Sequence, residues 1–358
     1  MKLLIAGGGT GGHVFPAMAV AQEWLRRGAR GEREVLMVGT AQGLEAKLVP
    51  EAGLPLATIR AAGLKGMAGA KLARNLALLP AGLFDAAAIL RRNRFTAAFG
   101  VGGYASGPMM LLATWRAIPT VVFEPNIEPG FTNRILADMA TRVAVGFAET
   151  ATRFGSKAVV TGCPVRAEFF AAAARSHQAP LRLLITGGSR GALPINRAVV
   201  DSLDLLVSRK SQLFIVHQTG ERDYNAVRVA YACREFNAEV RPFIQGMAQE
   251  FAQADLIVCR AGAITVAEIA AAGRAAIFIP FAAATDSHQL RNARAMEAAG
   301  AGRVIPQDEL TPQRLAREIF SLLDQPQKLI EMENRARERG RPQATAEIVD
   351  LLEEAGRP

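Results

Sequence analysis

The stretch LLIAGGGTGGHVFP, from Leu3 to Pro16, decides the fold of the first half of this 358-residue chain. Four apolar residues lead directly into a glycine-rich turn, in which Gly7, Gly9 and Gly12 fit the pattern G-x-G-x-x-G. A strand that ends in such a turn and continues as a helix presents backbone N–H groups to a phosphate. The stretch therefore predicts a Rossmann-like β–α unit for a phosphate-bearing ligand.

A dinucleotide is disfavoured as that ligand. NAD-binding domains carry an acidic residue at the carboxyl end of the second strand, where it binds the ribose hydroxyls. Here the second predicted strand, EVLMVGT (34–40), ends in Gly39 and Thr40, whereas Glu32 and Glu34 lie at its opposite end. An NAD-dependent oxidoreductase is therefore a rival hypothesis that the missing acid disfavours.

Strand-like and helix-like segments alternate along the chain, which predicts parallel sheets covered by helices. In mid-chain, LRLLITGGSRGALPINRAVVDSL (181–203) repeats the strand, glycine loop and helix of the opening stretch. The repeat predicts an α/β protein with two Rossmann-like domains, residues 1–162 and 163–340, facing each other across a cleft. We expect residues 341–358 to form a C-terminal helix that packs back on the first domain.

Composition and charge restrict the class of protein. Cys163, Cys233 and Cys259 lack C-x-x-C spacing, which is typical of small buried residues in a reducing compartment. Neither a signal peptide nor an apolar run long enough to span a bilayer is expected. The net charge of +9 is compatible with nucleic acid, anionic lipid or an acidic substrate as partner.

The segment from Arg60 to Arg94 favours anionic lipid among these partners. It contains the apolar run NLALLPAGLFDAAAIL (75–90) and a single acid, Asp85. An apolar surface fringed by basic residues suits a membrane interface, although an ordinary packed helix with a basic solvated end is the alternative. Nucleic acid is disfavoured, because this region lacks interleaved aromatic residues and the sequence contains no nucleic-acid-binding motif. The basic residues are Arg60, Lys65, Lys71, Arg74, Arg91, Arg92 and Arg94.

Three further turns are candidate phosphate or nucleotide sites. GVGGYASGP (100–108) follows a strand of the first domain, and TGGSRGA (186–192), which is not a Walker A motif, lies in the second. In RAGAITVAE (260–268), a helix start at Ala263 would offer N–H groups to a phosphate, and Glu268 could accept hydrogen bonds from ribose hydroxyls. This arrangement suits a nucleoside diphosphate. Tight turns without ligand, and a Glu268 stabilised only by the helix dipole, are the alternatives.

Seven segments, in the same order and spacing, make the chain resemble the MurG family of peptidoglycan glycosyltransferases over about residues 3–300. They are GGTGGHVFPAMAVA (8–21), GVGGYASGP (100–108), EPNIEPGFTNRILA (124–137), GCPVR (162–166), TGGSRGA (186–192), HQTG (217–220) and CRAGAITVAEIAAAG (259–273). The resemblance implies a GT-B fold and inverting transfer of N-acetylglucosamine from UDP-N-acetylglucosamine. The implied acceptor is the muramoyl 4-hydroxyl of undecaprenyl-diphospho-N-acetylmuramoyl-pentapeptide (lipid I), which becomes lipid II at the cytoplasmic face of the membrane.

The resemblance also implies roles for individual residues. Ser189 would contact the donor diphosphate, the backbone at Ile244 the uracil, and Arg166 would neutralise donor charge. The helix start that would hold phosphate and ribose comprises Ala263, Ile264, Thr265, Val266, Ala267 and Glu268. The residues expected at the donor sugar are Gln289, Asn126, Thr10, Gly11 and Gly12. Those expected at the acceptor diphosphate are His13, Gly102, Gly103, Tyr104 and Ser106, while Trp115 would join the membrane-facing region.

Two positions depart from the family pattern. Phe123 replaces the first residue of a common H-E-Q-N segment, and His288 replaces the first of two common glutamines. These departures leave the fine contacts to the sugar open.

The base that accepts the proton of the attacking hydroxyl stays open at this stage. His13 is a candidate because histidine has an intrinsic pKa in the right range, but it could instead bind the acceptor diphosphate or be a structural helix-start residue. Glu124 is the rival base, and His217 is expected to be structural. The sequence contains no D-x-D spacing, so neither a metal nor another cofactor is expected. A GT-B transferase with another acceptor, or a non-catalytic nucleotide-binding module, are the remaining alternatives.

Overall fold

The computed structural model describes residues 1–29, 31–62, 69–284 and 287–357, except for the side chains of residues 70–74 and 76. The chain divides into two units. The first unit consists of Met1–Val165 together with Gln343–Pro358, and the second of Arg166–Pro342. The first unit thus contains both ends of the chain.

The first unit is built on a parallel sheet. Its strands are β1 (Lys2–Gly7), β2 (Glu34–Gly39), β3 (Leu56–Thr58), β4 (Ala97–Gly102), β5 (Thr120–Glu124), β6 (Arg142–Val145) and β7 (Ala158–Val160). Its helices up to residue 165 are α1 (Gly11–Arg26), α2 (Glu45–Glu51), α3 (Gly69–Arg92), α4 (Ser106–Trp115), α5 (Phe131–Met139) and α6 (Ala148–Ala151). The strand order is β3-β2-β1-β4-β5-β6-β7. The central strand is an uninterrupted apolar run because both faces of such a sheet are buried: Leu4 pairs with Leu36 on one side and Ala98 on the other.

The second unit repeats this architecture. Its strands are β8 (Leu181–Thr186), β9 (Leu213–Gln218), β10 (Ala238–Arg241), β11 (Leu256–Cys259), β12 (Ala276–Phe278) and β13 (Arg303–Val304). Its helices are α7 (Leu193–Leu206), α8 (Tyr224–Cys233), α9 (Met247–Gln253), α10 (Ala263–Ala272), α11 (His288–Ala298), α12 (Pro312–Leu323) and α13 (Pro326–Glu338). The strand order is β10-β9-β8-β11-β12-β13, again parallel. Each unit therefore has the parallel α/β fold that the sequence predicts.

The strand order reverses beside the first strand of each sheet, between β1 and β4 and between β8 and β11. Open α/β sheets bind ligands beyond the carboxyl ends of the strands at such a switch point. The four predicted loops follow these four strands. The loops after β1 and β4 are therefore neighbours in the first unit, and the loops after β8 and β11 are neighbours in the second.

The last helix, α14 (Ala344–Ala355), packs against α1 in the first unit. Arg27 donates to Asp350 at 2.5 Å and to the carbonyl oxygen of Ala346 at 2.9 Å. Arg33 donates to Glu353 at 2.7 Å. A C-terminal segment thus completes the first unit through ion pairs at the end of α1.

The segment before β8, which contains Arg175 and His177, is held by a cluster of charged side chains. Asp255, fully buried before β11, accepts hydrogen bonds from Arg175 at 2.8 Å and from His177 Nδ1 at 2.9 Å. His177 Nε2 lies 3.4 Å from Glu333 on α13, which also pairs with the buried Arg274. Asp255 and Glu333 raise the pKa of His177 to about 9, so the imidazole is a charged member of the cluster.

Candidate functional site

The first glycine turn lies beyond β1, at the switch point of the first sheet. Thr10 precedes α1 and is exposed, and its side chain accepts no hydrogen bond from the backbone N–H groups of the helix start. Gly11 and Gly12 form the first turn of α1, where backbone N–H groups have no partner within the helix. The turn can therefore bind an anion through its backbone.

His13 connects this turn to the second glycine loop. Its Nδ1 lies 3.1 Å from the carbonyl oxygen of Gly8 and 3.4 Å from Thr10 Oγ1. Its Nε2 faces Gly102, because a Cβ built on Gly102 would lie 3.1 Å from that nitrogen. The imidazole thus lies between the two loops that the sequence predicts for the acceptor diphosphate.

The second loop follows β4 and contacts the first directly. A Cβ on Gly103 would lie 2.3 Å from the carbonyl oxygen of Gly8, so only glycine allows this approach. Tyr104 is 56% exposed beside it. Ser106, which the resemblance also assigns to the acceptor diphosphate, has a fully buried side chain whose hydroxyl lies close to Gly100.

Glu124 is an anchor for the loop after β5. It is 1% exposed, and its carboxylate accepts hydrogen bonds from Asn126 N and Gly130 N, both at 2.9 Å, and from Asn133 Nδ2 at 2.9 Å. Asn126 Nδ2 also donates to it at 3.1 Å. Burial raises the pKa of Glu124, and these donors oppose that shift. A buried carboxylate with four donors is poorly placed to take a substrate proton, which disfavours Glu124 as the base. Its hydrogen bonds instead hold Asn126 in position.

In the second unit, the loop after β8 carries the exposed Ser189. Gln218, buried at the end of β9, donates to the carbonyl oxygen of Gly188 at 2.9 Å and to Thr186 Oγ1 at 3.2 Å. Its Oε1 accepts the N–H of Ile244 at 2.8 Å. One side chain therefore fixes two segments predicted to contact the diphosphate and the uracil.

Because the Ile244 N–H donates to Gln218, the backbone group of Ile244 that can bind the uracil is its carbonyl oxygen. The Ile244 side chain is buried.

The third predicted segment, the start of α10, follows Gly262, an extended residue that precedes the first helical turn. Ala263, Ile264 and Thr265 occupy that turn, so their N–H groups point out of the helix end.

The N–H of Val266 donates to the Gly262 carbonyl at 2.9 Å, and the Val266 side chain is buried. Ala267 and Glu268 follow and are half-buried. Burial raises the pKa of Glu268 to about 7, while the positive charge of Arg166 acts in the opposite direction. Arg166 lies with its guanidinium 5.0 Å from the ring centre of Phe169. The Arg166 guanidinium therefore lies close enough for its charge to act on the Glu268 carboxyl.

Gln289, on the first turn of α11, accepts the N–H of Phe281 at 3.0 Å through Oε1. The side chain of Arg260, at the end of β11, donates to the carbonyl oxygen of Ile279 and lies 5.3 Å from the ring centre of Phe281. Gln289 is thus tied to the loop after β12. Asp286, from the same sequence segment, lies outside the described residues.

Two supporting residues were not singled out from the sequence. Gln218 lies within the quoted motif HQTG, but its contacts involve segments distant in the chain. Glu45, 1% exposed, follows β2 and accepts hydrogen bonds from Gly9 N and Thr40 N at 2.7 and 2.8 Å. An acid is therefore present near the carboxyl end of β2, but it binds the protein's own backbone, which strengthens the case against a dinucleotide.

Apolar side chains are exposed on two packed helices of the first unit. Phe84 is 65% exposed and Leu79 36% exposed on α3, and Trp115 is 71% exposed at the end of α4. Arg60 pairs with Asp85 at 2.6 Å. The exposed basic residues nearby in sequence are Arg91, Arg92 and Arg94. Lys65 lies outside the described residues, as do the side chains of Lys71 and Arg74.

Neither a membrane-spanning helix nor a metal cluster is found in the described parts of the chain. Within residues 1–29, 31–62, 69–284 and 287–357, no helix has the length and apolarity to cross a bilayer. The same residues bring together no group of three or more His, Cys, Asp or Glu that could hold a metal ion.

Two family models match the chain. Residues 3–145 match the glycosyltransferase family 28 N-terminal domain, and residues 182–348 match the glycosyltransferase family 28 C-terminal domain. The two matched regions contain the four loops described above.

Curated relatives match over nearly the whole chain. A protein of Myxococcus xanthus (strain DK1622) is 44% identical and spans 98% of this chain and 92% of its own. A protein of Geotalea daltonii is 43% identical, with 98% and 97% covered. Both are named UDP-N-acetylglucosamine--N-acetylmuramyl-(pentapeptide) pyrophosphoryl-undecaprenol N-acetylglucosamine transferase. The crystal structure of Acinetobacter baumannii MurG superposes with a TM-score of 0.80 at 34% identity, covering 99% of each chain.

Proposed function

The chain belongs to glycosyltransferase family 28, and from this premise we propose that it transfers N-acetylglucosamine from UDP-N-acetylglucosamine to lipid I, forming lipid II. The observation that carries the proposal is the 44% identity, over 98% of the chain, to a transferase named for this reaction. The expected GT-B fold is confirmed by the likeness to the MurG crystal structure. The reaction inverts the anomeric centre, as direct displacement by the acceptor hydroxyl requires.

The donor nucleotide binds to loops of the second unit. The N–H groups of Ala263–Thr265 at the start of α10 bind phosphate, and Ser189 contacts the diphosphate from the loop after β8. Glu268 accepts hydrogen bonds from the ribose hydroxyls, and Arg166 offsets the charge of the departing UDP. The support for this assignment is local: helix-end N–H groups and a cation are the groups that stabilise a leaving diphosphate.

The acceptor diphosphate binds to the first unit, at the paired glycine loops. Gly102, Gly103 and the N–H groups at the start of α1 form a backbone surface for phosphate, with Tyr104 exposed beside it. His13 lies between the loops and is the base that takes the proton of the attacking hydroxyl. The alternative role of His13, binding the diphosphate, predicts a raised KM for the acceptor with little change in kcat when His13 is replaced.

A transfer assay tests the proposal. Purified protein should release UDP from UDP-N-acetylglucosamine only when a lipid I analogue is present, and the product should carry the inverted linkage. Release of UDP that does not depend on a muramoyl acceptor, or equal turnover with UDP-galactose, would contradict the assignment. Activity should be unchanged by EDTA, because no metal is needed in the proposed displacement.

Glu268→Ala tests the donor site. Loss of a hydrogen bond between a charged group and a ribose hydroxyl costs about 1.5–3 kcal/mol, or roughly 10- to 100-fold in kcat/KM. Glu331→Ala, at an exposed position of α13 in the same unit, is the matched control and should keep wild-type kinetics. Gln289→Ala and Asn126→Ala should raise the KM for UDP-N-acetylglucosamine if these residues hold the sugar.

The exposed side chains of α3 and α4 bind the membrane surface. Phe84 and Trp115 insert at the interface, and Arg91, Arg92 and Arg94 attract anionic headgroups. The protein should sediment with phosphatidylglycerol vesicles, less so at high salt and not with phosphatidylcholine vesicles. Phe84→Ser with Trp115→Ser should abolish sedimentation, whereas Val229→Ser, at a 52%-exposed position of α8, should not. Equal loss in both variants would contradict this surface. Nucleic acid is not expected to compete.

A further inference from the structure

Glu45 is a buried carboxylate whose hydrogen bonds join two loops of the first unit. Its Oε2 accepts the N–H of Gly9 at 2.7 Å, and its Oε1 accepts the N–H and hydroxyl of Thr40 at 2.8 and 2.9 Å. A Cβ on Gly8 would lie 2.2 Å from the carboxylate carbon, and one on Gly43 would lie 2.0 Å from Oε2. The backbone therefore encloses this carboxylate closely and fixes its position.

The Gly9 N–H belongs to the same peptide group as the Gly8 carbonyl. Glu45 holds that peptide group at its N–H end, and His13 Nδ1 lies 3.1 Å from the oxygen at its other end. The orientation of one peptide plane is thus fixed by Glu45 and presented to His13.

This contact favours one proton position on the imidazole. A carbonyl oxygen can only accept a hydrogen bond, so a bond to Gly8 requires Nδ1 to donate, and the Thr10 hydroxyl, 3.4 Å from the same nitrogen, is then an acceptor as well. In the neutral imidazole the other nitrogen, Nε2, then carries the lone pair, and it faces the second glycine loop at Gly102. A peptide group turned the other way would present an N–H to Nδ1 and favour the opposite tautomer.

We propose that Glu45 is a positioning residue: by holding the Gly8–Gly9 peptide group, it keeps His13 in the Nδ1–H tautomer with Nε2 as the proton-accepting nitrogen. The proposal rests on the transferase function, in which Nε2 takes the proton of the attacking hydroxyl and the resulting imidazolium keeps its bond to Gly8. Glu45 touches neither substrate and acts only through the peptide group.

The first test is the imidazole ¹⁵N spectrum of the wild-type protein, at a pH at which His13 is neutral. The chain has four histidines, and the His13→Asn spectrum identifies the signals that belong to His13. Nδ1 should resonate as a protonated nitrogen and Nε2 as an unprotonated one. The reverse pattern would overturn the proposal, whatever the behaviour of any variant.

The second test compares two substitutions around the same carboxylate. Glu45→Met keeps the length of the side chain but removes the acceptor of the Gly9 N–H, so the Nδ1–H tautomer should lose its dominance and kcat should fall at least about tenfold, a part of what a base contributes. Thr40→Val removes only the hydroxyl bond to Glu45, so it should keep the wild-type tautomer and kcat. UDP affinity, which depends on the second unit, should change less than about twofold in both variants.

The outcomes separate this proposal from the proposed function. A folded Glu45→Met protein with the wild-type tautomer, or an equal loss of kcat in Thr40→Val, would contradict the positioning role while transfer activity in the wild type remains intact. Absence of transfer to a lipid I analogue by the wild-type protein would contradict the proposed function. The ¹⁵N spectrum would still show which nitrogen of His13 carries the proton, and so would test the positioning role separately.

Discussion

Replacement of His177 should remove a pH-dependent part of the stability of the second unit. His177 has a raised pKa in the folded protein because its Nδ1 is hydrogen-bonded to Asp255 and its Nε2 lies 3.4 Å from the Glu333 carboxylate. A histidine with a raised folded-state pKa stabilises the protein fully below its unfolded pKa of about 6.5. This contribution is lost as the pH rises through the folded value of about 9. His177→Gln should therefore destabilise the unit at pH 6 and have a much smaller effect above pH 9.

The size of the effect follows from the pKa shift. A shift from 6.5 to about 9 corresponds to a free energy on the order of 3 kcal/mol at about 1.4 kcal/mol per pH unit. Both partners are nearly fully buried, at 0% and 3% side-chain exposure, so solvent screens this interaction little. Arg175 and Arg274 share the same carboxylates and keep them ionised after His177 is deprotonated.

The assay must report on the second unit alone. Both tryptophans, Trp24 and Trp115, lie in the first unit, so fluorescence does not follow the second. Hydrogen exchange of the β8 and β11 amides in urea should give the unfolding free energy at pH values from 6 to 9.5. His288→Gln, which removes an imidazole outside the cluster, is the control and should show the wild-type pH dependence. Parallel pH curves for wild type and His177→Gln, or an NMR titration of His177 near 6.5, would refute the reasoning.

Three further outcomes are expected. Gln218→Met leaves the Ile244 N–H and the Gly188 carbonyl without their partner, so unfolding of the second unit should be easier by about 1–3 kcal/mol and calorimetry should give weaker UDP binding. Arg27→Ala breaks the bonds between α1 and α14, and urea unfolding followed by tryptophan fluorescence should show a loss of about 1–3 kcal/mol in the first unit; an unchanged midpoint would contradict this role. Burial lowers the pKa of His217 to about 3, so the neutral form is stable above pH 6.5 and the unit should lose stability as the pH falls from 6.5 toward 3; an NMR titration of His217 above pH 5 would disprove it.

Much of the fold could be predicted, because its signals are local. The apolar runs before the glycine turns became β1 and β8, and the repeat of strand, loop and helix became two parallel sheets whose first six strands follow the same order. The short strands β3 and β13 were not expected from the sequence. The contact of His13 with the second loop required the two strands to be neighbours in the sheet, which sequence spacing does not reveal.

Burial and partners in space are the features of the site that the sequence does not show. Ser106 and Glu124 have types that suit a binding site, and only the structure shows that both side chains are buried. Glu45 and Gln218 have no recognisable spacing, yet each satisfies backbone groups of a loop that binds or positions a substrate in the proposed reaction. Whether a polar residue faces the ligand or supports the loop depends on its partners in space.

The sequence alone determined the two Rossmann-like halves, the glycine loops that follow their strands and the family resemblance, because strand and turn propensities act between near neighbours. The tertiary structure decided which polar groups satisfy one another. The bond from Gly9 to Glu45 spans 36 residues and that from Ile244 to Gln218 spans 26. A buried donor must find an acceptor wherever the fold brings one close, so these pairings exist only after the sheets have assembled.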